Sequence, residues 1–358
     1  MDIMLIYYLY AAFIIVLAFF CGLVNNSKSK KVFIIIFFIT SFLLMGLRSQ
    51  DIGVDTKLYI NIFEKIGAKG STYLSENDLK GMYIYYLYNR ILYWIWPNGN
   101  MLIIGNAFVI TLLSTIFIYR FSEKSMYVSA VLYVLMYFYF TSFNTSRQCI
   151  AVLLVAIGVT YLFKKHFLGY AVFQTIAIFV HLTSIVGIAF LILYLIPKTN
   201  KTLIFIIIGA IIASFFLTTF GNKFIELFDD YSGYIDFKNN TSHGRTIYLV
   251  IFNTIIFVLI YILEFKNLND NENLVFLMMI VSCYISMGVI GATIIMIDRV
   301  AQYFYIFFIA FVPYLFNDRF SEKLDLTISC GVVAIYLVLF VILVSGNYSG
   351  IIAYSTWF

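Results

Sequence analysis

Long apolar runs constrain this chain more than any other feature of its sequence. Twelve helix-length runs can be read, at 3–24, 32–47, 99–119, 126–143, 148–163, 167–181, 183–196, 202–220, 246–263, 274–297, 300–316 and 327–345. A helix needs about 20 apolar residues to cross a bilayer, and several runs are shorter than that. The sequence therefore predicts an all-α, polytopic membrane protein with about 12 transmembrane helices. The runs 167–181 and 183–196 are also compatible with one long, bent helix.

The scarcity of charge excludes a soluble protein. Only 11% of the 358 residues are charged, whereas a soluble domain carries about 25%. Because no polar block is long enough for a separate catalytic domain, we expect one transmembrane domain over 1–358. The net charge of +5 is explained by lysines on the cytoplasmic side, so a nucleic-acid partner is not expected.

The basic residues predict the orientation of the spans. Lys28, Lys30 and Lys31 follow the first run, which places the N-terminus outside by the positive-inside rule. Alternation then gives two large outer loops, 48–98 and 221–245, and an outer tail, 346–358.

Two apolar segments lie outside the predicted spans. Met82–Trp96 is nearly continuously apolar and aromatic but short for a span, so it predicts an interfacial or re-entrant helix in the first outer loop. The end of the tail, 351–358, is apolar enough to fold back onto the same outer membrane surface.

The arginines gather on the predicted outer side. Five of the seven lie there, and four of these are at the outer ends of spans: Arg48, Arg147, Arg245 and Arg299. Arginine offers a rigid, permanently charged fork that matches phosphate oxygens two at a time. If the bundle brings these ends together, they form a cationic pocket for a diphosphate. Alternatively, each arginine reaches lipid headgroups or pairs locally, as Arg299 could with Asp298.

Three side chains are candidates for a general base. His181 lies in an apolar stretch at the outer end of its helix, and an unperturbed imidazole, with a pKa of about 6.5, suits a general base, although a lone His there is more often structural. Asp55 and Asp298 are the substitutes. Asp51 and Asp55 lack the rest of an oxygen cage, and the four cysteines lack metal-binding spacing. We therefore expect no metal and no cofactor.

Four short motifs together resemble a known family. They are the run from Arg48 to Tyr59, the Ser146-Arg147-Gln148 turn, the stretch from His181 to Ser184, and the run from Asp298 to Phe304. Their order is similar to that of the EpsG-like, Wzy-type polysaccharide polymerases. Arg245 lies outside these motifs, so its role depends on topology alone.

The resemblance implies a GT-C-like glycosyltransferase at the outer face of the bacterial plasma membrane, facing the periplasm or the cell exterior. It would polymerise polyprenyl-diphosphate-linked oligosaccharide into O-antigen, capsule or exopolysaccharide, with a flippase and a chain-length regulator as pathway partners. The matched positions are Arg48, Asp55, Arg147, His181 and Arg299. Tyr59, Gln148 and Tyr303 lie in the same motifs and are expected to bind substrate.

Several alternatives share parts of this pattern. A ligase would transfer the same lipid-linked glycan to another acceptor, and a membrane acyltransferase would modify sugars without changing chain length. A transporter or flippase for lipid-linked oligosaccharide would place ionisable groups near mid-membrane. The helix interiors here are almost free of charge, which favours a one-sided enzyme.

Overall fold

Helices make up nearly all regular structure in this protein. The computed structural model describes residues 4–76, 81–121, 125–225, 243–266, 268–291, 295–315, 321–347, 349–351 and 354–358. The first helices are α1 (Leu5–Val24), α2 (Ser27–Gly46), α3 (Thr56–Lys69), α4 (Ser71–Glu76), α5 (Tyr83–Ile95), α6 (Gly99–Phe121), α7 (Met126–Leu135), α8 (Phe138–Asn144) and α9 (Ser146–Phe163). The others are α10 (Phe167–Val180), α11 (Ile188–Leu195), α12 (Asn200–Ile225), α13 (His243–Glu264), α14 (Glu272–Gly291), α15 (Ile295–Tyr305), α16 (Phe308–Phe311) and α17 (Glu322–Ser345). The described residues contain no β-strand, which confirms the all-α prediction.

Seven helices in the described ranges are long and apolar enough to cross a membrane, so the chain is a multi-pass membrane protein. They are α1, α2, α6, α9, α13, α14 and α17. The bent pair α7 and α8 makes an eighth candidate. The predicted runs 167–181 and 183–196 coincide with shorter apolar helices, and the run 202–220 lies within α12, of which Asn200–Ala213 is a short apolar part. The run 300–316 is divided between α15, α16 and a 3-10 turn. The count of twelve stays a prediction.

The contacts of the chain group it into two compact units. The first unit comprises Met1–Ile185 and Cys330–Phe358, and the second comprises Val186–Ser329. Each is described by itself, and a single transmembrane domain over 1–358 stays a prediction.

Helix α9 forms the core of the first unit, where it packs between α6 and α10. Small residues allow this close approach: a Cβ at Gly158 would lie 3.2 Å from the Phe173 Cβ on α10. Helices α6 and α9 run in the same direction, because Asn106 bonds Ser146 near their starts and Arg120 bonds Thr160 near their ends. The start of α9 is therefore at the same end as the start of α6.

The break between α7 and α8 redirects the chain toward this end. The two helices meet at an angle of 46°, and Tyr137 between them has a positive φ of 70°. Few non-glycine residues adopt this left-handed conformation. The bend carries Phe143 and Asn144 to the segment that precedes α3.

The predicted outer loop 48–98 is mostly helical. Helix α5 nearly coincides with the predicted interfacial segment 82–96, although no membrane is present to test its location. Its inward face carries Tyr85, Asn89 and Leu92, while Leu87 and Trp94 are exposed. Helices α3, α5 and α6 share a small apolar core, so the loop is a folded part of the first unit.

In the second unit, α14 is the more enclosed of the candidate spans α13 and α14, and it contacts α11, α12, α13 and α15. Helix α15 begins soon after α14 ends, and the backbone of Asp298 approaches the end of α14 closely. A Cβ at Gly291 would lie 2.9 Å from the Asp298 Cα. This close approach fixes where the sequence Asp298-Arg299 lies in the second unit.

The tail folds back onto the first unit at the exit of α2. Residues 349–351 and 354–358, which we call the tail segment, contact Gly46–Gly53 through backbone and side-chain bonds. Trp357 also meets Trp96 edge to face, with the ring centres 6.1 Å apart. The tail therefore folds back onto the segment that follows α2, and its location at an outer membrane surface stays a prediction.

Candidate functional site

The segment from Arg48 to Thr56, which we call the arginine turn, closes around one guanidinium. Arg48 Nη1 donates to the Ile52 carbonyl and to Thr56 Oγ1, the latter at 3.2 Å. The Thr56 hydroxyl donates to the same carbonyl at 2.6 Å. Gly53 has a φ of +91°, and a Cβ there would lie 2.6 Å from the Phe143 carbonyl oxygen. Only glycine fits this position without strain.

Arg48 is deeply buried, with 2% of its surface exposed. Its guanidinium carbon lies 5.0 Å from the ring centre of Phe143, and no carboxylate of the described residues pairs with it. Burial lowers the pKa of Arg48 to about 10, so the side chain stays charged at neutral pH. Its Nε has no hydrogen-bond partner. Arg48 therefore places an uncompensated positive charge beside the turn.

Asp55 immediately precedes α3, and α8 holds it in place. Its backbone N–H donates to Asn144 Oδ1 at 2.7 Å, and the side chain is half-buried without capping α3. Tyr59 follows one helical turn later and is half-buried as well. The arginine turn thus places Asp55 and Tyr59 at the same end of the unit as the start of α9.

Arg147 occupies the first turn of α9 and is half-buried. Its guanidinium carbon lies 6.0 Å from the ring centre of Tyr59 and 5.4 Å from that of Tyr85. Such cation–π contacts are attractive and leave the N–H groups available for other partners. The buried Nε of Arg147 has no hydrogen-bond partner, and no described carboxylate pairs with the guanidinium. The Arg147 charge also opposes the rise in the Tyr85 pKa that burial causes.

A chain of polar contacts fixes the start of α9. Tyr88 donates to Asn106 Oδ1 at 3.2 Å, and Asn106 Nδ2 donates to Ser146 Oγ at 3.1 Å. Gln148, predicted to bind substrate, is 2% exposed and has its partners inside the protein. Arg147 is therefore the more accessible of the two predicted residues on this turn.

His181 lies at the end of α10, near the start of α5 in the first unit. Leu182 beside it approaches Gly81, and Phe179 lies 6.0 Å from Tyr83 between ring centres. His181 Nδ1 accepts from the Thr183 backbone N–H at 3.3 Å and lies 2.7 Å from Thr183 Oγ1. An accepting Nδ1 places the proton of a neutral imidazole on Nε2. In this arrangement His181 does not offer Nδ1 as a free base.

The remaining predicted residues belong to the second unit. Asp298 and Arg299 are half-buried in α15, and Tyr303, one turn further, is fully buried. Residue 245 lies in the first turn of α13, and the side chain of Arg245 lies outside the described part of the structure. The first unit brings Arg48, Asp55, Tyr59 and Arg147 together. Arg245, Asp298, Arg299 and Tyr303 are not part of this group.

Arg90, the fifth arginine predicted outside, has a structural role. Its Nη1 donates to the carbonyls of Ile66 and Gly67, at 3.2 and 3.0 Å, in the last turn of α3. A cation at a helix C-terminus satisfies carbonyls that have no partner within the helix. Arg90 therefore fits the alternative in which an outer arginine pairs with local groups.

Sequence reasoning missed Tyr85, Asn106 and Asn144. The polar run from Asn144 to Gln148 between two apolar runs was a signal for Asn144. Tyr85 and Asn89 lie four residues apart, which places both on the buried face of α5. In the described residues, no group of three His, Cys, Asp or Glu side chains is arranged to hold a metal ion.

Comparison with known protein families gives a nearly full-length match. No curated protein and no solved structure is similar enough to match. The model of the EpsG family matches residues 31–356, which include the arginine turn, the start of α9, the end of α10 and α15. On the strength of this nearly full-length match, the chain belongs to the EpsG family.

Proposed function

We propose that this chain is a membrane glycosyltransferase that polymerises polyprenyl-diphosphate-linked oligosaccharide repeat units. Membership of the EpsG family suggests a membrane polysaccharide polymerase. The proposal includes about twelve spans, a GT-C-like architecture, and action at the outer face of the bacterial plasma membrane on O-antigen, capsule or exopolysaccharide repeats. A flippase would supply the substrate and a chain-length regulator would act on the product.

The observation that carries the proposal is the setting of Arg147. Its half-buried guanidinium lies against two tyrosine rings, and no described carboxylate neutralises it. A preorganised cation of this kind stabilises the negative charge that develops on a departing diphosphate. Arg48 adds a fixed positive charge that is buried in the arginine turn. Arg245 and Arg299 are further proposed diphosphate ligands.

The reaction breaks the bond between the donor sugar C1 and the diphosphate oxygen. A hydroxyl of the acceptor glycan forms the new bond to C1, and its proton passes to a general base. Polyprenyl diphosphate leaves with the bonding electrons. This chemistry requires no metal if arginines stabilise the leaving group.

Asp55 is the base that we favour. It belongs to the turn that leads to Tyr59, which is in contact with Arg147, and carboxylates commonly serve as bases in reactions at a sugar C1. His181 and Asp298 remain the other candidates. We propose that Tyr59, Gln148 and Tyr303 help to hold the glycan.

The decisive experiment reconstitutes the purified chain in vesicles with a polyprenyl-diphosphate-linked repeat unit. We expect a ladder of repeats. A single transferred unit would instead indicate a ligase, and movement of the lipid-linked glycan without a new glycosidic bond would indicate a carrier.

Two matched variants test the role of Arg147. Arg147→Ala should abolish the ladder, because loss of one such donor lowers turnover by about 10²- to 10³-fold. Arg120→Ala is the control, since Arg120 also lies over a tyrosine ring, that of Tyr161 at 4.2 Å, but near the other end of α9. An Arg147→Ala protein that is as active as Arg120→Ala would refute the proposal.

A further inference from the structure

We infer that the tail segment is a positioning element of the proposed site, which stays docked during turnover and holds the arginine turn in place. The inference rests on the proposed function, because it assigns a role to the tail in that reaction. It concerns residues that no motif of the sequence includes.

The tail segment pairs with the start of the arginine turn like a short antiparallel strand. Ser49 N–H donates to the Ser355 carbonyl at 2.7 Å, and Trp357 N–H donates to the Leu47 carbonyl at 3.3 Å. Arg48 and Thr356 lie opposite each other between these bonds. The pairing fixes the backbone that carries the Arg48 side chain.

A second set of contacts fixes the middle of the turn. Gly53 N–H donates to the Gly350 carbonyl at 2.9 Å, and a Cβ at Gly350 would lie 2.7 Å from Val54 Cγ2. Ile351 is fully buried, and its carbonyl accepts from the Tyr7 hydroxyl. The tail thus holds the turn both at Arg48 and next to the left-handed Gly53.

Side chains of the tail also complete the end of α2. The Tyr354 hydroxyl donates to the Leu44 carbonyl at 3.0 Å, and Trp357 Nε1 donates to the Gly46 carbonyl at 3.1 Å. The last four carbonyls of a helix have no partner within it. The tail supplies two such partners and so fixes where α2 ends and the arginine turn begins.

The effect on the proposed site passes through the turn. Within the turn, Arg48 bonds Thr56, the first residue of α3, which carries Tyr59 against Arg147. A shift of about 1 Å at reacting groups can lower turnover by about 10²-fold. A released tail would therefore displace Asp55 and Tyr59 without touching the substrate itself.

A reversible cross-link tests whether the tail stays docked. The hydroxyls of Ser49 and Ser355 lie 2.9 Å apart on paired backbone, so Ser49→Cys with Ser355→Cys should form a disulfide. We expect the oxidised and reduced forms to polymerise at rates within about twofold of each other. Failure of the disulfide to form, or activity that returns only on reduction, would overturn the inference. Ser355→Cys alone is the control.

A second pair of variants separates positioning from folding. Trp357→Ala should lower kcat per folded molecule about tenfold, with a smaller change in KM for the lipid-linked donor. Trp357→Phe, which keeps a ring against Trp96, should recover most of this loss. Phe358→Ala is the matched control, since Phe358 is 78% exposed on the same segment.

The outcomes distinguish this inference from the proposed function. An unchanged kcat in Trp357→Ala overturns the positioning role, while a ladder from the unaltered chain keeps the polymerase proposal. If the unaltered chain forms no glycosidic bond, the polymerase proposal fails and the positioning role fails with it.

Discussion

Arg48 contacts Thr56 and Arg147 contacts Tyr59, one helical turn further along α3. The two arginines nevertheless have different surroundings. Arg48 is 2% exposed, and its Nη1 serves the Ile52 carbonyl and the Thr56 hydroxyl. Arg147 is half-buried and is held by aromatic rings. Both are charged, and no described carboxylate pairs with either. Both arginines lie at helix ends, yet only Arg147 keeps N–H groups available for a ligand. Position at a helix end alone therefore does not identify a ligand-binding arginine.

The difference separates two uses of the same side chain. A buried guanidinium contributes a fixed field and organises a turn, whereas one held by ring faces keeps its donors available. Four variants test this comparison, ordered from the largest expected effect to the smallest.

Gly53→Ala should have the largest effect, because it destabilises the arginine turn around Arg48. The new Cβ would lie 2.6 Å from the Phe143 carbonyl oxygen and 2.8 Å from Thr56 Oγ1, at a positive φ. We expect a loss of about 2 to 3 kcal/mol in the free energy of unfolding, measured by thermal denaturation in detergent. Gly331→Ala is the control, because no atom lies within 4 Å of its added Cβ. Equal stability of the two variants would contradict the geometry of the turn.

Arg48→Met should raise stability while lowering activity. Replacement of a buried, uncompensated charge by an apolar side chain is expected to stabilise by about 1 to 2 kcal/mol, because the Ile52 carbonyl keeps its bond from Thr56. Arg147→Met should change the melting temperature less, since Arg147 is only half-buried. If Arg48→Met instead melts well below the unaltered chain, the buried charge is a structural stabiliser and the comparison fails.

Arg147→Lys should lower turnover about tenfold, although the charge is kept. A lysine lacks the planar fork that binds two phosphate oxygens at once. Initial rates of polymer formation at several donor concentrations measure the effect. A rate equal to that of the unaltered chain would show that charge alone suffices at this position.

Tyr85→Leu should have the smallest effect, about fivefold. Loss of the ring removes one of the two cation–π contacts of Arg147, which contribute roughly 0.5 to 2 kcal/mol each. Tyr85→Phe keeps the ring and should retain most of the activity. Tyr86→Leu controls for general damage to α5, because Tyr86 is half-buried on the same helix and its ring is not among those that contact Arg147. Equal losses in both leucine variants would argue against a specific role for Tyr85.

Apolar periodicity was sufficient to predict the long helices but not the broken ones. The runs that became α1, α2, α6 and α9 are continuous and contain no proline. The run 126–143 looks equally continuous, yet Tyr137 adopts a left-handed conformation that bends it by 46°. Tertiary packing sets this break, and no residue at the position signals it. The motif residues near Arg147 were likewise predictable, whereas the contact with Tyr85 depends on how α5 packs against α3, α6 and α10.

The pairing of the tail with the arginine turn has a consequence for biosynthesis. Ser49 and Ser355 are 306 residues apart in the chain, so a ribosome that adds about 5 to 20 residues per second needs roughly 15 to 60 s to connect them. During that interval Arg48 has emerged without its covering segment. A nascent chain therefore completes this part of the molecule only after residue 355 has been synthesised, and translation products that end before Ser355 lack a finished arginine turn.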